Sequence, residues 1–395
     1  MRVLVNSLSA KSLSGKHVLY GHLRQLAQWT LGQHEYLVLS NSSTRPDPSL
    51  FESNVQWYDA PESNGWLRRS VWESIVLPRR MKDWGIDLYF SPSGTILPRS
   101  PVPQVTLAQN PWCLTREVPK DWTARSKALL QRRAYRQAQR SADLMFYNSE
   151  HIRRLYQANA SGRAEQKGMI LHQGISDETH SIAARTRLPV GNRELQIVCV
   201  SVMAAWKNCE TLLNALDVLR RRGVDASLRL IGGWPDLEYR RTIESTIHKL
   251  NLSGHVQIEG HVSQDNLHAA YRSSRVYCLL SRCESFGIPA IEAQAFGTPV
   301  VGASTGAMPE IGGEGGVFVD PDDACAAANA LEPLLVDDLK WSRLSQAAIE
   351  NADRFRWPRC SKPLLEMFSI ASEASVTRHH SSRESSQILT MARDT

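Results

Sequence analysis

The sequence predicts two consecutive doubly wound α/β domains. Short runs rich in Val, Ile and Leu recur along the chain without strict apolar–polar alternation, as expected for strands buried on both faces of a parallel sheet. Longer stretches with helical spacing of apolar residues separate these runs, and such alternation is typical of doubly wound folds. A length of 395 residues is also ordinary for two domains.

Strands are predicted in both halves of the chain. Those of the first half lie at 3–5, 36–39, 87–90, 104–107 and 144–147, and those of the second at 197–202, 228–231, 256–258, 276–280, 299–301 and 317–319. Helical patterns fill the intervals. In one of them, leucines between Leu212 and Leu219 recur at helical spacing, start beside a candidate cap at Asn208 and stop at Gly223.

The domain boundary is predicted in the polar stretch 176–194, which carries Pro189 and Gly191. This gives a first domain at 1–185 and a second at 186–371, whose final helix is expected to cross back to the first. Residues 372–395 contain nine Ser or Thr in 24 positions and few large apolar groups, so a disordered tail is predicted there.

Composition excludes several classes of protein. With 42% hydrophobic and 22% charged residues, the chain is neither fully disordered nor collagen-like. Apolar runs stay well short of the roughly 18 residues of a membrane span. The N-terminal segment fits a first buried strand better than a signal peptide. Seven scattered cysteines without a CxxC pair argue against a zinc site and favour reduced thiols in a cytoplasmic protein.

Positive charge is concentrated between residues 115 and 170, which hold 12 Lys or Arg against 5 Asp or Glu. Either this is a solvated helix face or it attracts an anionic membrane surface or another polyanion. Within 121–140, a helix is predicted whose side chains could meet a membrane. Its basic and apolar members are Arg125, Arg132, Arg133, Arg136, Arg140, Trp122, Leu129 and Leu130. Nucleic acid is not expected, because no aromatic-interleaved pattern accompanies the charge.

The chemistry is concentrated in the segment that follows the strand at 276–280. Glu284 lies in the loop after that strand, and a helix is predicted to begin near Pro289 and end at Gly297, with Glu292 in its first turn. A helix N-terminus binds phosphate, and Gly287 would allow close approach of a ligand to the backbone. Two carboxylates beside an anion site suggest sugar hydroxyls on both sides of a diphosphate, although Glu292 alone could be a plain capping charge.

This segment resembles the donor-site motif of retaining glycosyltransferases of family 4, which have the GT-B fold. That motif has two glutamates eight positions apart with Phe-Gly-x-Pro between them. Glu284, Phe286, Gly287, Pro289 and Glu292 match it. The AFGTPVV and PEIGG segments that follow are also similar to the family. The resemblance is dense in the second half and loose in the first, up to about residue 371, and it implies two Rossmann-like domains facing a central cleft.

The resemblance also implies roles for the second half. Glu292 would bind the ribose hydroxyls, Glu284 would orient the transferred sugar, and backbone N–H groups would hold the distal phosphate. Lys207 would face the diphosphate and act with Glu284 in catalysis. Family members commonly place an Arg where this chain has Val202. The donor site implied in this way contains Glu292, Phe286, Gly287, Ile288, Pro289, Ser201 and Val262.

The first half would supply the acceptor side of the cleft. Gly15 takes the place of a glycine-rich turn, and Gln109 and Asn110 stand where family members have His-Asp. The side chains of Gln109 and Asn110 could bind substrate, or they could simply hydrogen-bond the backbone of their own loop. Ser149 is expected to cap a helix, and His172 is expected in the hinge.

The implied reaction is retaining transfer of a hexose-type sugar from a nucleoside-diphosphate sugar to an acceptor hydroxyl. By resemblance it needs no divalent metal and no cofactor. A glycan or lipid-linked acceptor is expected, with a role in cell-envelope polysaccharide or lipopolysaccharide synthesis at the inner face of the membrane. Two alternatives stay open: an epimerase or hydrolase of nucleotide sugars, and a non-catalytic nucleotide-sugar-binding module. The base, the sugar and the acceptor are left open.

Overall fold

A computed structural model describes residues 1–60, 66–116, 118, 122–160 and 168–373. Its strands form two parallel sheets. The first contains β1 (Arg2–Asn6), β2 (Glu35–Ser40), β3 (Val55–Asp59), β4 (Leu88–Ser91), β5 (Gln104–Ala108), β6 (Leu144–Tyr147) and β7 (Gly168–Ile170). The second contains β8 (Glu194–Val200), β9 (Ser227–Ile231), β10 (Val256–Glu259), β11 (Ser274–Leu279), β12 (Val300–Ala303) and β13 (Gly316–Val319).

Helices cover these sheets. Those before β8 are α1 (Leu13–Trp29), α2 (Trp66–Ile75), α3 (Leu77–Asp83), α4 (Trp122–Ser141), α5 (Glu150–Asn159) and α6 (Asp177–Thr186). Those after it are α7 (Cys209–Arg221), α8 (Leu237–Lys249), α9 (Gln264–Ser273), α10 (Ile288–Ala295), α11 (Met308–Gly312), α12 (Ala324–Val336), α13 (Asp338–Ala352) and α14 (Trp357–Ser361). Within the described residues, no helix combines the length and hydrophobicity that a membrane span requires.

The strand orders establish the predicted fold class. The first sheet runs β3-β2-β1-β4-β5-β6-β7 and the second β10-β9-β8-β11-β12-β13, with every pair parallel. Strand order therefore reverses between β1 and β4 and again between β8 and β11. In open α/β sheets, ligands bind at the carboxyl ends of the strands beside such reversals. The fold thus directs attention to the loops after β1, β4, β8 and β11.

All eleven predicted strands are present, and two further strands, β3 and β7, were missed. These two form the outer edges of the first sheet. In β3 only the first residue, Val55, is fully buried, and the three residues of β7 are half-buried. Edge strands of this kind lack the continuous apolar run by which the central strands were recognised.

The chain crosses between the two units twice. Ala183 of α6 lies in the hydrophobic core of the second sheet. Beyond α14, Leu364 and Met367 belong to the core of the first sheet. At this second crossing Trp357 packs on Gly174, where an added Cβ would lie 2.8 Å from the indole ring. The structure describes residues up to 373, so the predicted tail lies almost entirely outside the described residues.

Candidate functional site

A cavity of about 980 Å³ separates the carboxyl ends of the two sheets and is lined by both domains. Ten of the predicted site residues line it. From the first domain these are Gly15, Gln109 and Asn110, and from the second Ser201, Lys207, Glu284, Phe286, Gly287, Ile288 and Pro289. Loops that follow different strands thus converge on one cleft, as the topology requires.

An ion pair between Lys207 and Glu284 lies in the second-domain wall of this cleft. The Nζ and Oε2 atoms are 2.5 Å apart, and the two side chains are only 14% and 12% exposed. Each partner is held by its own loop. Lys207 ends a single-turn 3-10 helix after β8, just before Asn208 in the left-handed conformation (φ 59°). The Glu284 carbonyl accepts a hydrogen bond from the Ala307 N–H at 3.0 Å.

The start of α10 faces the same cleft. Gly287 precedes the helix with φ 101°, which favours glycine, and no side chain caps the helix start. A Cβ at Gly287 would lie 2.8 Å from the Met308 sulfur, so the glycine also allows close packing behind the loop. With Ile288 at the first helical position and Pro289 at the second, this helix start offers partial positive charge to an anion.

Glu292 does not lie in the first turn of α10, as the sequence suggested. The helix begins at Ile288, so Glu292 is its fifth residue and belongs to the second turn. It does not line the cleft, and its Oε2 accepts a hydrogen bond of 3.0 Å from the Tyr271 hydroxyl. Burial raises the pKa of Glu292 to about 7, although the Tyr271 hydrogen bond opposes this effect. The plain capping role is therefore wrong for this residue.

Val262 also lies away from the cleft wall, packed against the core of the second domain. The loops after β8 and β9 lie so close together that their backbones touch. Gly232 follows β9 with φ 142°, and a Cβ there would lie 1.8 Å from the Ser201 carbonyl oxygen. The loops after β8 and β9 are therefore in backbone contact, and only glycine fits at this position.

Cationic groups are distributed unequally between the two walls. Of the described second-domain residues that line the cleft, Lys207 is the only cation. Val202, at the position expected for Arg, is 54% exposed and brings no charge. The first-domain wall contributes Lys11, Arg69 and Lys127.

The first-domain wall contains polar residues that sequence analysis missed. Glu73 of α2 accepts a hydrogen bond from Asn6 Nδ2 at 2.8 Å, and Arg69 Nη1 donates to the Leu8 carbonyl at 3.0 Å. Burial raises the pKa of Glu73 despite the nearby Arg69. The i, i+4 spacing of Arg69 and Glu73 was the available signal, and sequence analysis assigned no helix there.

Gln109 and Asn110 both serve the loop backbone. Gln109 Nε2 donates to the Pro92 carbonyl at 2.9 Å, and Asn110 Oδ1 accepts from the Trp112 N–H at 3.1 Å. Each side chain has a second polar atom that can still bind a ligand in the cleft. The two roles left open by the sequence are therefore compatible.

Ser149 and His172 lie where the domains touch. Ser149 caps α5 as expected, accepting from the Ile152 N–H at 3.3 Å, and its hydroxyl donates to the Ser285 carbonyl at 2.9 Å. Glu310 of α11 accepts from the Glu150 N–H at 2.8 Å and lies 3.2 Å from His172 Nε2. The loop that carries Glu284 is thus tied directly to the first domain.

Comparison with known families agrees with this geometry. Residues 182–354 match the model of a family described as glycosyl transferases group 1. The matched segment covers less than half of the chain. It contains Lys207, Glu284, α10 and Glu292, and hence the whole second-domain wall of the cleft.

Curated relatives are similar over part of this chain. A D-inositol 3-phosphate glycosyltransferase of Corynebacterium urealyticum is 33% identical over 183 residues, covering 44% of this chain and 43% of the relative. A GDP-mannose-dependent alpha-(1-6)-phosphatidylinositol monomannoside mannosyltransferase of Mycolicibacterium smegmatis is 29% identical, covering 62% of this chain and 66% of the relative. The chain thus spans less than half the length of the first of these relatives.

Solved structures extend the likeness of fold to nearly the whole chain. A sucrose-phosphate synthase from Thermosynechococcus elongatus has a TM-score of 0.73 at 18% identity, covering 94% of this chain and 99% of that one. An Anabaena protein in complex with UDP and glucose has a TM-score of 0.68 at 19% identity, covering 93% and 99%. The fold is GT-B, as the sequence predicted.

Proposed function

We propose that this protein transfers a hexose from a nucleoside-diphosphate sugar to an acceptor hydroxyl, with retention of the anomeric configuration. The observation that carries the proposal is the Lys207–Glu284 ion pair beside the uncapped start of α10, inside the interdomain cleft. This arrangement provides a cation and helix amides for a diphosphate, and a carboxylate for sugar hydroxyls. The match of residues 182–354 to the group 1 glycosyl transferase family supports the same activity.

Charge stabilisation is the main catalytic contribution under this proposal. As the glycosidic bond breaks, negative charge develops on the leaving diphosphate, and preorganised groups are most effective at such a position. Lys207 moves from Glu284 to the phosphate, which frees the carboxylate to accept hydrogen bonds from the sugar. These groups fill the role that a divalent metal has in other transferases, so transfer is proposed to be metal-independent.

The acceptor is proposed to bind the first-domain wall. Lys11, Arg69 and Lys127 give that wall an excess of positive charge over its carboxylate, Glu73. The two relatives described above are named for inositol 3-phosphate and phosphatidylinositol monomannoside acceptors, which both contain phosphate. An anionic glycan or lipid-linked acceptor, used in cell-envelope synthesis, fits this wall.

A peripheral membrane contact through α4 is part of the proposal. Trp122 and Leu129 are exposed on this helix, and the Arg125 guanidinium lies 5.4 Å from the Trp122 ring centroid. Exposed aromatic and aliphatic groups among arginines are typical of helices that lie on anionic bilayers. Arg132 must be removed from the predicted set, because its Nε donates to the Cys113 carbonyl.

Ligand-induced thermal stabilisation tests the donor site. UDP-, GDP-, dTDP- and ADP-sugars are screened at millimolar concentration against the native chain, Lys207→Met and the control Lys249→Met, which changes an exposed lysine of α8. A ligand that binds only the folded state raises the melting temperature. We expect one base to stabilise the native chain and the control, and to stabilise Lys207→Met much less, because Lys207 is the only cation of the described second-domain wall.

The preferred donor is then incubated with candidate acceptors, and the anomeric configuration of the product is determined by NMR. Product that forms only with acceptor and keeps the donor's configuration supports retaining transfer. Interconversion or hydrolysis of the donor alone would establish the epimerase or hydrolase alternative. Absence of stabilisation by every nucleotide sugar would refute the donor site.

A further inference from the structure

Gln173 lies at the floor of the cleft, between the starts of two helices. The preceding residue, His172, has its ring centroid 5.9 Å from that of Phe286, just before α10. The following residue, Gly174, has its carbonyl oxygen 2.8 Å from His17 Nε2 in the second turn of α1. Gln173 itself lines the cleft and is only 5% exposed. It therefore occupies the interdomain floor beside the proposed diphosphate site.

The Gln173 amide has no hydrogen-bond partner among the described residues, although its backbone carbonyl accepts from the Cys360 thiol at 3.5 Å. Buried amide side chains elsewhere in the described chain are bonded. Gln104 bonds both polar groups of Leu97, and Gln294 bonds Gly312 and Asn351. In Asn148, by contrast, both polar atoms of the amide are fully buried and unpaired, and this residue does not line the cleft.

Neither polar atom of the Gln173 amide is among the fully buried unpaired atoms, so the amide is open to the cleft and has unused hydrogen-bonding capacity there. A ligand in the cleft can supply the missing partner. A primary amide offers both a donor and an acceptor, which suits a sugar hydroxyl. A sugar on the distal phosphate at α10 would extend from that helix toward the first domain, and thus toward Gln173.

We propose that Gln173 is a specificity-determining residue that hydrogen-bonds a hydroxyl group of the transferred sugar. This inference rests on the proposed function, because it needs a donor sugar in the cleft. Under this inference, Gln173 contacts the sugar of the donor and does not contact the nucleotide. The nucleoside diphosphate alone should therefore bind without its help.

Gln173→Met tests this assignment, because methionine keeps the length of the side chain and removes both polar groups. Dissociation constants are measured by calorimetry for UDP, UDP-glucose, GDP and GDP-mannose with the native chain and the variant. We expect the diphosphate affinity to stay within about twofold, and the affinity for the matching nucleotide sugar to fall about tenfold, as for one lost hydrogen bond. The ratio of kcat to KM should fall at least as much.

Thermal stability without ligand gives an independent measurement. If the amide makes no stabilising contact in the absence of ligand, Gln173→Met should melt at the same or a higher temperature than the native chain. A lower melting temperature together with equal loss of diphosphate and nucleotide-sugar affinity would show a purely structural role and overturn the inference. Unchanged nucleotide-sugar affinity would overturn it as well. If the native chain binds none of the four ligands, the proposed function itself fails, which is a distinct result.

Discussion

Replacing Glu292 by Gln should stabilise the protein at alkaline pH, because it removes a mostly buried carboxylate that has no cation beside it. Glu292 is mostly buried in α10, with only the Tyr271 hydroxyl as a hydrogen-bond partner among the described residues. Burial of a carboxylate without a cation disfavours its charged form. The neutral glutamine keeps an oxygen that can accept from Tyr271 and has no charge to bury.

The size of the effect follows from the pKa. Burial raises the pKa of Glu292 from 4.5 to about 7. Because the folded state holds the Glu292 proton more tightly than the unfolded state, the contribution of Glu292 to folding stability is greatest below pH 4.5, falls as the pH rises toward 7, and is constant above it. A difference of about 2.5 pH units corresponds to about 3 kcal/mol. For one domain of this size, that is a shift in melting temperature of about 6 to 10 °C.

The assay is a melting curve of the native chain, Glu292→Gln and the exposed control Glu238→Gln at several pH values between about 5 and 8. The melting temperature of Glu292→Gln relative to the native chain should increase across this range, whereas that of Glu238→Gln should not. A constant difference between Glu292→Gln and the native chain would refute the reasoning, because an unperturbed carboxyl has no proton to lose in that window.

Three further predictions concern catalysis, metal and packing. Lys207→Met should lower kcat about 100- to 1000-fold in a donor-turnover assay, as expected for loss of one charge-stabilising group. If kcat fell less in Lys207→Met than in Lys207→Arg, the charge-stabilising role of Lys207 would be contradicted. Removal of divalent metal with EDTA should leave the initial rate unchanged, and recovery of a lost rate by added Mg²⁺ would count against metal-free transfer. Arg193→Met should destabilise the second domain by about 3 kcal/mol or more in urea unfolding, because its buried guanidinium donates to the carbonyls of Ser274 and Phe296 and to the Thr298 hydroxyl; an unchanged midpoint would refute this.

The second domain was largely predictable because its functional groups are close together in the sequence. Glu284, the start of α10 and Glu292 lie within one strand–loop–helix unit, so turn residues and helix signals locate them together. Even there, local signals were insufficient for the helix start, which lies at Ile288 and moves Glu292 to the second turn. The contact of Glu292 with Tyr271 spans 21 residues and had no sequence signal.

The first domain was less predictable, because its cleft wall is assembled from separate segments. Lys11 follows β1, Arg69 and Glu73 lie on α2, and Lys127 lies on α4. None of these helices or loops shows a compact motif. Gln173 follows His172, which was expected in the hinge, and only the structure reveals that its amide faces the cleft without a protein partner.

The Lys207–Glu284 pair explains how one site can remain stable both with and without its donor. These residues are 77 positions apart, yet each is fixed by its own loop, so neither depends on the other for its position. Breaking a mostly buried ion pair is costly if a charge is left alone. Under the proposed function, a nucleoside-diphosphate sugar would avoid this cost, because its phosphate would pair with the lysine and its hydroxyls with the carboxylate. Free phosphate supplies only the first partner, so the pair itself favours a ligand that joins an anion to a polyol.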